Sequence, residues 1–329
     1  MKKVKLTYTV RSIAAFMTAV FTVFCLALAG CAPKEAEKVL NVAALKGPTG
    51  MGLAYMMKEQ TDKYNVELYD TPDAVTGKFI SGEIDVAAVP INLASVLYNK
   101  TQGEAVLIGV NTLGVLYILS TGENVNDLAD LAGKKLYATG EASTPEYVLN
   151  RLLEKNGLSG AVEVEYIAEH ATLAGMMAAG EADLAMLPEP NVTSVMLKNP
   201  DAHIVIDMTE EWDKVENAQL VQGCYIARRS VVQETPGVIN AFLSDTAASV
   251  EKVNSAKEAP ALIAELGIVG SEAIAEIALP NCHIVCLTDG EMRSSAEEML
   301  KVLFDADPKS VGGKLPGDDF YYEVTNGGK

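Results

Sequence analysis

From Val39 onward, apolar and polar positions alternate in short runs of period two and longer runs of helical period. Apolar residues at every second position predict strands, because successive side chains of a strand point to opposite faces. This reading places strands at 39–45, 66–69 and 84–89, with helices at 49–60 and 71–80 between them. Pro90 then opens a further helix, where its missing N–H leaves no bond unmade. The same succession returns later: strand 134–139, helix 144–155, strand 162–167, helix 169–179, strand 182–187 and a helix from about 189. Strands follow at 203–206 and 222–227. After Pro236 the residues Val238, Ile239, Phe242, Leu243, Ala247 and Val250 recur at helical spacing, and 290–304 reads alike.

The two successions share residues as well as rhythm. Gly82-Glu83-Ile84-Asp85-Val86-Ala87-Ala88-Val89-Pro90 is echoed 98 positions later by Gly180-Glu181-Ala182-Asp183-Leu184-Ala185-Met186-Leu187-Pro188. At the same offset Gly77 falls on Gly175, and Val66-Glu67 on Val164-Glu165. An ordered set at constant offset implies two similar structural units. Strands alternating with helices imply an α/β fold, each unit a mixed, mostly parallel sheet with helices on both faces. The expected organisation is two lobes, 39–116 plus 223–329 and 117–222, with the helical tail packed back on the first. The chain then crosses between lobes near 113–121 and near 219–224.

The N-terminus departs from this pattern. Lys2, Lys3, Lys5 and Arg11 precede an uncharged apolar run from Ser12 to Gly30, the order of a secretory signal. Leu28-Ala29-Gly30-Cys31 resembles the lipoprotein box, in which the cysteine is lipidated and the preceding residues are removed. Residues 1–30 are therefore expected to be a signal peptide, Cys31 the lipid site and 31–38 a polar tether, with the body held outside the cytoplasmic membrane. The chain of 329 residues carries 44 acidic and 26 basic residues, a net charge of −18. Loss of four basic residues with the signal takes it to −22. Five arginines and no basic run beyond the signal exclude a nucleic-acid-binding role, which needs clustered cations. Cys224, Cys282 and Cys286 remain in the body. Cys282-His283-x-x-Cys286 lacks the second half of a structural zinc site, so buried thiols and no metal are expected.

In open α/β sheets ligands bind beyond the carboxyl ends of the strands, beside helix N-termini. The repeat locates those points as Lys46–Met51 and Pro90–Asn92 in one lobe, and Thr139–Pro145 and Pro188–Asn191 in the other. Gly47 and Gly50 let a backbone approach a ligand, and Thr49, Ser143 and Thr144 offer hydroxyls that also cap helices. The candidate ligand-binding set is Lys46, Gly47, Thr49, Gly50, Met51, Asn92, Asn111, Tyr117, Glu141, Ser143, Thr144, Glu189 and Asn191. Tyr55 and Tyr147 join Tyr117 as candidates for stacking.

The lipobox, the Gly-x-x-x-x-Gly-Glu-x-Asp repeat and the turn Leu187-Pro188-Glu189-Pro190 resemble bacterial ABC-transporter substrate-binding proteins, in the branch that takes nitrate, sulfonate, bicarbonate and thiamine precursors. The ending, with Pro308-Lys309-Ser310-Val311-Gly312-Gly313-Lys314, is similar too. The resemblance implies a two-lobed periplasmic-binding-protein fold of the second topological type. It also implies a ligand held between lobes that close about a hinge, and partner permease and ATPase subunits. A monomer with no cofactor is expected. The cargo is left open. Lys46 is the one basic residue in the candidate loops, while Glu141, Glu146 and Glu189 lie on the other edge. The set leans to a neutral or amine-bearing heterocycle such as a pyrimidine thiamine precursor; the alternatives are a small anion, nitrate or sulfonate, or a ligand-sensing lipoprotein.

An enzyme is not expected. Only His170, His203 and His283 could act as histidine bases, no phosphate-binding loop occurs, and Gly47-x-x-Gly50-x-Gly52 has the wrong spacing for a dinucleotide. The pyrimidine-forming enzyme that uses a related fold has a cysteine-rich motif absent here.

Overall fold

A computed structural model describes residues 38–324; the expected signal and the lipid site at Cys31 lie outside the described residues. Among the described residues, eleven strands make two sheets. They are β1 (Leu40–Leu45), β2 (Tyr64–Tyr69), β3 (Val86–Pro90), β4 (Ala105–Thr112), β5 (Leu116–Ser120), β6 (Lys135–Ala138), β7 (Glu163–Tyr166), β8 (Leu184–Pro188), β9 (His203–Asp207), β10 (Gly223–Arg228) and β11 (Ile284–Leu287). The first sheet has the order β11-β4-β10-β3-β1-β2, the second β7-β6-β8-β5-β9. β1 pairs in parallel with β2 and β3, and β6 in parallel with β7 and β8. One antiparallel strand then enters each sheet, β10 between β3 and β4, and β5 between β8 and β9. Beyond it, β4 and β9 run with the first three strands of their sheets, so both sheets are mixed with most strands pointing one way. The repeat thus extends from residues to topology.

The repeated motif has a local cause. The helices Pro72–Ser81 and His170–Ala178 are each followed by the motif glycine in a left-handed conformation, Gly82 at φ 82° and Gly180 at φ 74°. This ends the helix at no Cβ cost. The motif aspartates then tie down neighbouring backbone. Asp85 accepts the Asn41 N–H at 3.0 Å, and the Asp183 carbonyl accepts the Thr121 N–H at 2.9 Å. The motif's apolar residues become β3 and β8, buried almost throughout, as strands covered on both faces must be.

Several expectations change. The helix read at 49–60 is two short helices, Pro48–Met51 and Ala54–Glu59, parted at Gly52 and Leu53. A Cβ at Gly52 would stand 3.1 Å from Val250 and 3.2 Å from the Tyr225 hydroxyl, so the chain passes close to the core there. β4 and β5 fill a stretch in which no strand was foreseen, and only 113–115 separates the sheets at the first crossing. The second crossing spans 208–222 and contains the helix Met208–Val215. Within the tail, β11 adds an edge to the first sheet. The helices Pro236–Ser255 and Asp289–Ala306 pack against that sheet. The helix Glu272–Ala278 instead lies on Asn191–Lys198 of the second unit. One apolar cluster runs from Ala43 and Ala87 of the first sheet to Leu136 and Met186 of the second. Among the described residues no helix is long and apolar enough to cross a membrane.

Candidate functional site

The carboxyl ends of β1, β3 and β4 face those of β6 and β8, and side chains from the two edges touch. Gly47, at φ 89° and ψ −150°, turns the chain out of β1 into its short helix. That conformation belongs essentially to glycine. A Cβ on Gly47 would meet Pro190 Cδ of the opposite edge at 3.7 Å. Nearby, Thr144 Oγ1–H donates to Asn92 Oδ1 at 3.0 Å, joining two helix starts. Both residues are buried. Asn92 Nδ2 lies 3.5 Å from the carbonyls of Ala142 and Ser310.

Glu189 is wholly buried on the second edge, and its carboxylate is held by neutral partners. Its carboxylate accepts the Thr193 N–H at 3.0 Å and the Thr193 hydroxyl at 2.9 Å, and it bonds the Asn281 side chain. Burial raises its pKa, and these hydrogen bonds pull it partly back. The Tyr117 hydroxyl donates to the Asn281 carbonyl at 3.4 Å. Burial, then the Asp207 and Glu189 carboxylates, push its phenol upward. Asn281 thus brings the tail against the second sheet. It is followed by His283, whose carbonyl accepts the Leu113 N–H at 3.2 Å and whose Nδ1 bonds the Gly114 carbonyl. Residues 281–283 therefore brace the first crossing.

The other candidates are placed unevenly. Thr49 is half-buried, and its hydroxyl donates to the Leu45 carbonyl at 3.2 Å. A Cβ on Gly50 would stand 2.6 Å from that carbonyl, so its backbone is packed tightly on β1. Lys46 is exposed and paired with Asp70 at 2.8 Å. Met51 and Tyr55 are core residues packed with Val253 and Ile263. Asn111 is buried at the end of β4. Ser143 caps its helix without a side-chain bond, and Asn191 is half-buried at the first position of its own. Glu141 and Tyr147 line a hollow of ≈ 270 Å³ with Ala142, Glu146 and Asp307. The structure therefore brings together Gly47, Thr49, Asn92, Asn111, Tyr117, Thr144 and Glu189 near one edge-to-edge junction, and leaves Lys46, Met51 and Glu141 outside it.

Sequence reasoning overlooked two residues at this junction, Gln222 and Asn281. Gln222, just before β10, is 8 % exposed, and its Nε2 has no partner among the described residues. Asn281 follows a turn that shows no pattern. His170 sits at the edge of the second sheet, its Nδ1 2.7 Å from Thr139 Oγ1. Its ring reaches solvent, yet the protein around it holds the imidazole below the usual histidine range. Among the described residues no group of three or more His, Cys, Asp or Glu is placed to hold a metal ion.

Residues 105–259 match the family model described as NMT1/THI5 like. No curated protein matches the chain by sequence. Among solved structures, an ABC transporter protein from Parabacteroides distasonis is 24% identical, with a TM-score of 0.76 over 88% of this chain and 100% of that one. The periplasmic aliphatic sulphonate binding protein of Escherichia coli is 17% identical, with a TM-score of 0.67 over 88% and 98%. The periplasmic nitrate-binding protein of Synechocystis is 11% identical, with a TM-score of 0.58 over 84% of each chain. The chain thus carries an NMT1/THI5-like domain and is folded as the ABC-transporter substrate-binding proteins are.

Proposed function

We propose that this protein is an extracytoplasmic solute-binding lipoprotein that captures a small molecule between its two sheets and delivers it to an ABC importer. The observation that carries this reading is the junction itself. Buried polar side chains from both sheets converge at the strand ends, where a doubly wound sheet binds ligands. The lobes are 39–116 with 223–329, and 117–222, hinged at the two crossings. Closure about that hinge gathers Asn92, Thr144, Tyr117 and Glu189 around the cargo, and the closed state is favoured by contacts the open state lacks. Lipidation of Cys31, with 1–30 removed, holds the monomer at the membrane beside its permease and ATPase partners. The protein binds without chemical transformation.

The cargo is a neutral or amine-bearing heterocycle, of which a pyrimidine thiamine precursor is one example. Two features support this over nitrate or sulfonate. Lys46 is committed to Asp70 outside the junction, and the buried charge-bearing group inside it is a carboxylate. The anionic alternative rests on the sulphonate- and nitrate-binding folds.

A thermal-shift panel of pyrimidines, amines, sulfonates and nitrate tests the reading, because a ligand of the folded state raises the melting temperature. The hit is then titrated against Asn92→Ala and Glu189→Ala. Weakened binding in both is expected. Unchanged affinity in both, with folding intact, removes this junction as the binding site.

A further inference from the structure

Two amide groups at the junction are incompletely bonded, and both lack the same thing. Asn111 is 1 % exposed at the carboxyl end of β4. Its Oδ1 accepts the Thr112 hydroxyl at 2.8 Å, while its Nδ2 has no acceptor among the described residues. Gln222 is held by its backbone, whose N–H donates to the Thr112 carbonyl at 3.0 Å and whose carbonyl accepts the Ile91 N–H at 3.1 Å. Its Nε2 likewise has no acceptor among the described residues. Gly223 follows, paired with Thr112 on one side and Pro90 on the other. A Cβ there would stand 2.5 Å from Asn111 Oδ1 and 2.8 Å from Thr49 Cγ2, so a larger residue would displace the Asn111 amide. Buried amides in folded proteins nearly always find partners, and a donor left unmade is costly.

We propose, resting on the solute-binding reading, that Asn111 and Gln222 are specificity-determining residues that recognise a hydrogen-bond acceptor on an uncharged ligand, a carbonyl oxygen or a ring nitrogen. The orphan atoms are donors, so what they call for is an acceptor rather than an ammonium group. They are neutral donors, and Lys46, the basic residue of the candidate loops, is paired with Asp70. An oxyanion here would share a buried junction with the Glu189 carboxylate and gain no compensating charge. An uncharged acceptor satisfies both amides without adding a charge.

Calorimetry on the full chain tests this with cytosine and 4-amino-2-methylpyrimidine as uncharged probes, and nitrate and ethanesulfonate as anions. Asn111→Asp and Gln222→Glu exchange a donor NH2 for an oxygen at constant shape. Gln222→Met removes the donor without adding charge, and decides the matter if the acidic variants do not fold. An uncharged probe is expected to bind the wild type, and each folded variant to weaken it tenfold or more. Unchanged affinity in the variants overturns the role of the pair while leaving solute binding intact. Binding of the anions and not the pyrimidines overturns the ligand class. Failure of all four probes also overturns the class, and native mass spectrometry of the same preparation then judges the broader reading. A retained small-molecule mass keeps solute binding, whereas none removes that as well.

Discussion

The two glycines that the repeat places around each helix end invite the same substitution with opposite results. Gly175 lies inside the helix His170–Ala178, and Gly180 follows it at φ 74°. A Cβ added at either one meets nothing within 4 Å, so packing contributes to neither. Only the backbone distinguishes them. At Gly175 alanine removes unfolded-state freedom and improves helix propensity, a gain of about 0.5–1 kcal/mol. At Gly180 alanine is forced into the left-handed region, a cost of about 1–2 kcal/mol. The pair should therefore differ by about 2 kcal/mol, or several degrees in melting temperature for a chain of this size. Urea unfolding of Gly175→Ala and Gly180→Ala, with unchanged m values, measures the difference directly. The first unit offers a replicate: Gly77→Ala has open space, whereas at Gly82 the new methyl would also stand 2.8 Å from Arg228 Nη1. If Gly175→Ala and Gly77→Ala destabilise as much as their partners do, the repeat's glycines serve a purpose other than the one argued here.

Three further outcomes are expected. Glu189 has a pKa raised by burial, so its contribution to stability is present below the unfolded value near 4.5 and is lost as pH rises through the folded value. Glu189→Gln should accordingly gain on the wild type between pH 4.5 and 7.5 in urea midpoints, and parallel curves would refute this. Trp212, the single tryptophan, is fully buried and donates its Nε1–H to the Ala218 carbonyl at 2.6 Å. Trp212→Phe should cost about 1–3 kcal/mol by stranding that carbonyl, and a loss under 0.5 kcal/mol in thermal melts would contradict it. Burial pushes the Cys224 and Cys282 thiols up, and Cys286 up to about 11, so none should react with a maleimide at pH 7.5 until the chain is unfolded. Rapid native labelling at any of the three, read by peptide mass mapping, would refute this.

Much of the architecture was legible because the repeat carries its own punctuation. Gly82 and Gly180 end helices, and the apolar runs after Asp85 and Asp183 are long enough for a strand yet too short for a helix. β4 and β5 were missed because 105–120 is apolar almost without interruption. Such a run has no period to read, and the residues that part the two strands, 113–115, carry no strong turn signal. The helix at 49–60 was drawn whole because its break arises from packing of Gly52 on Val250 and Tyr225, residues remote in sequence. At the site, strand ends located Gly47, Asn92 and Glu189 through the topology rule alone. Gln222 and Asn281 could not be found that way. Each lies beyond the repeated succession of strands and helices, and nothing local marks either residue.

The antiparallel strand inserted within each sheet, β10 in one and β5 in the other, also bears on how the molecule assembles. The second sheet is drawn from one continuous stretch, and its outermost pairing joins Tyr117 to Asp207. The first sheet waits for β10, which must find β3 across a loop of about 130 residues, a closure costing about 4 kcal/mol. Once the second sheet has formed, its two ends are already side by side, and the free chain between Pro90 and Gly223 shrinks to about 40 residues, lowering that cost by about 1 kcal/mol. The inserted unit thus acts as a template that delivers β10 to its slot. Mutations that slow the second sheet should delay closure of the first, although they touch none of its residues.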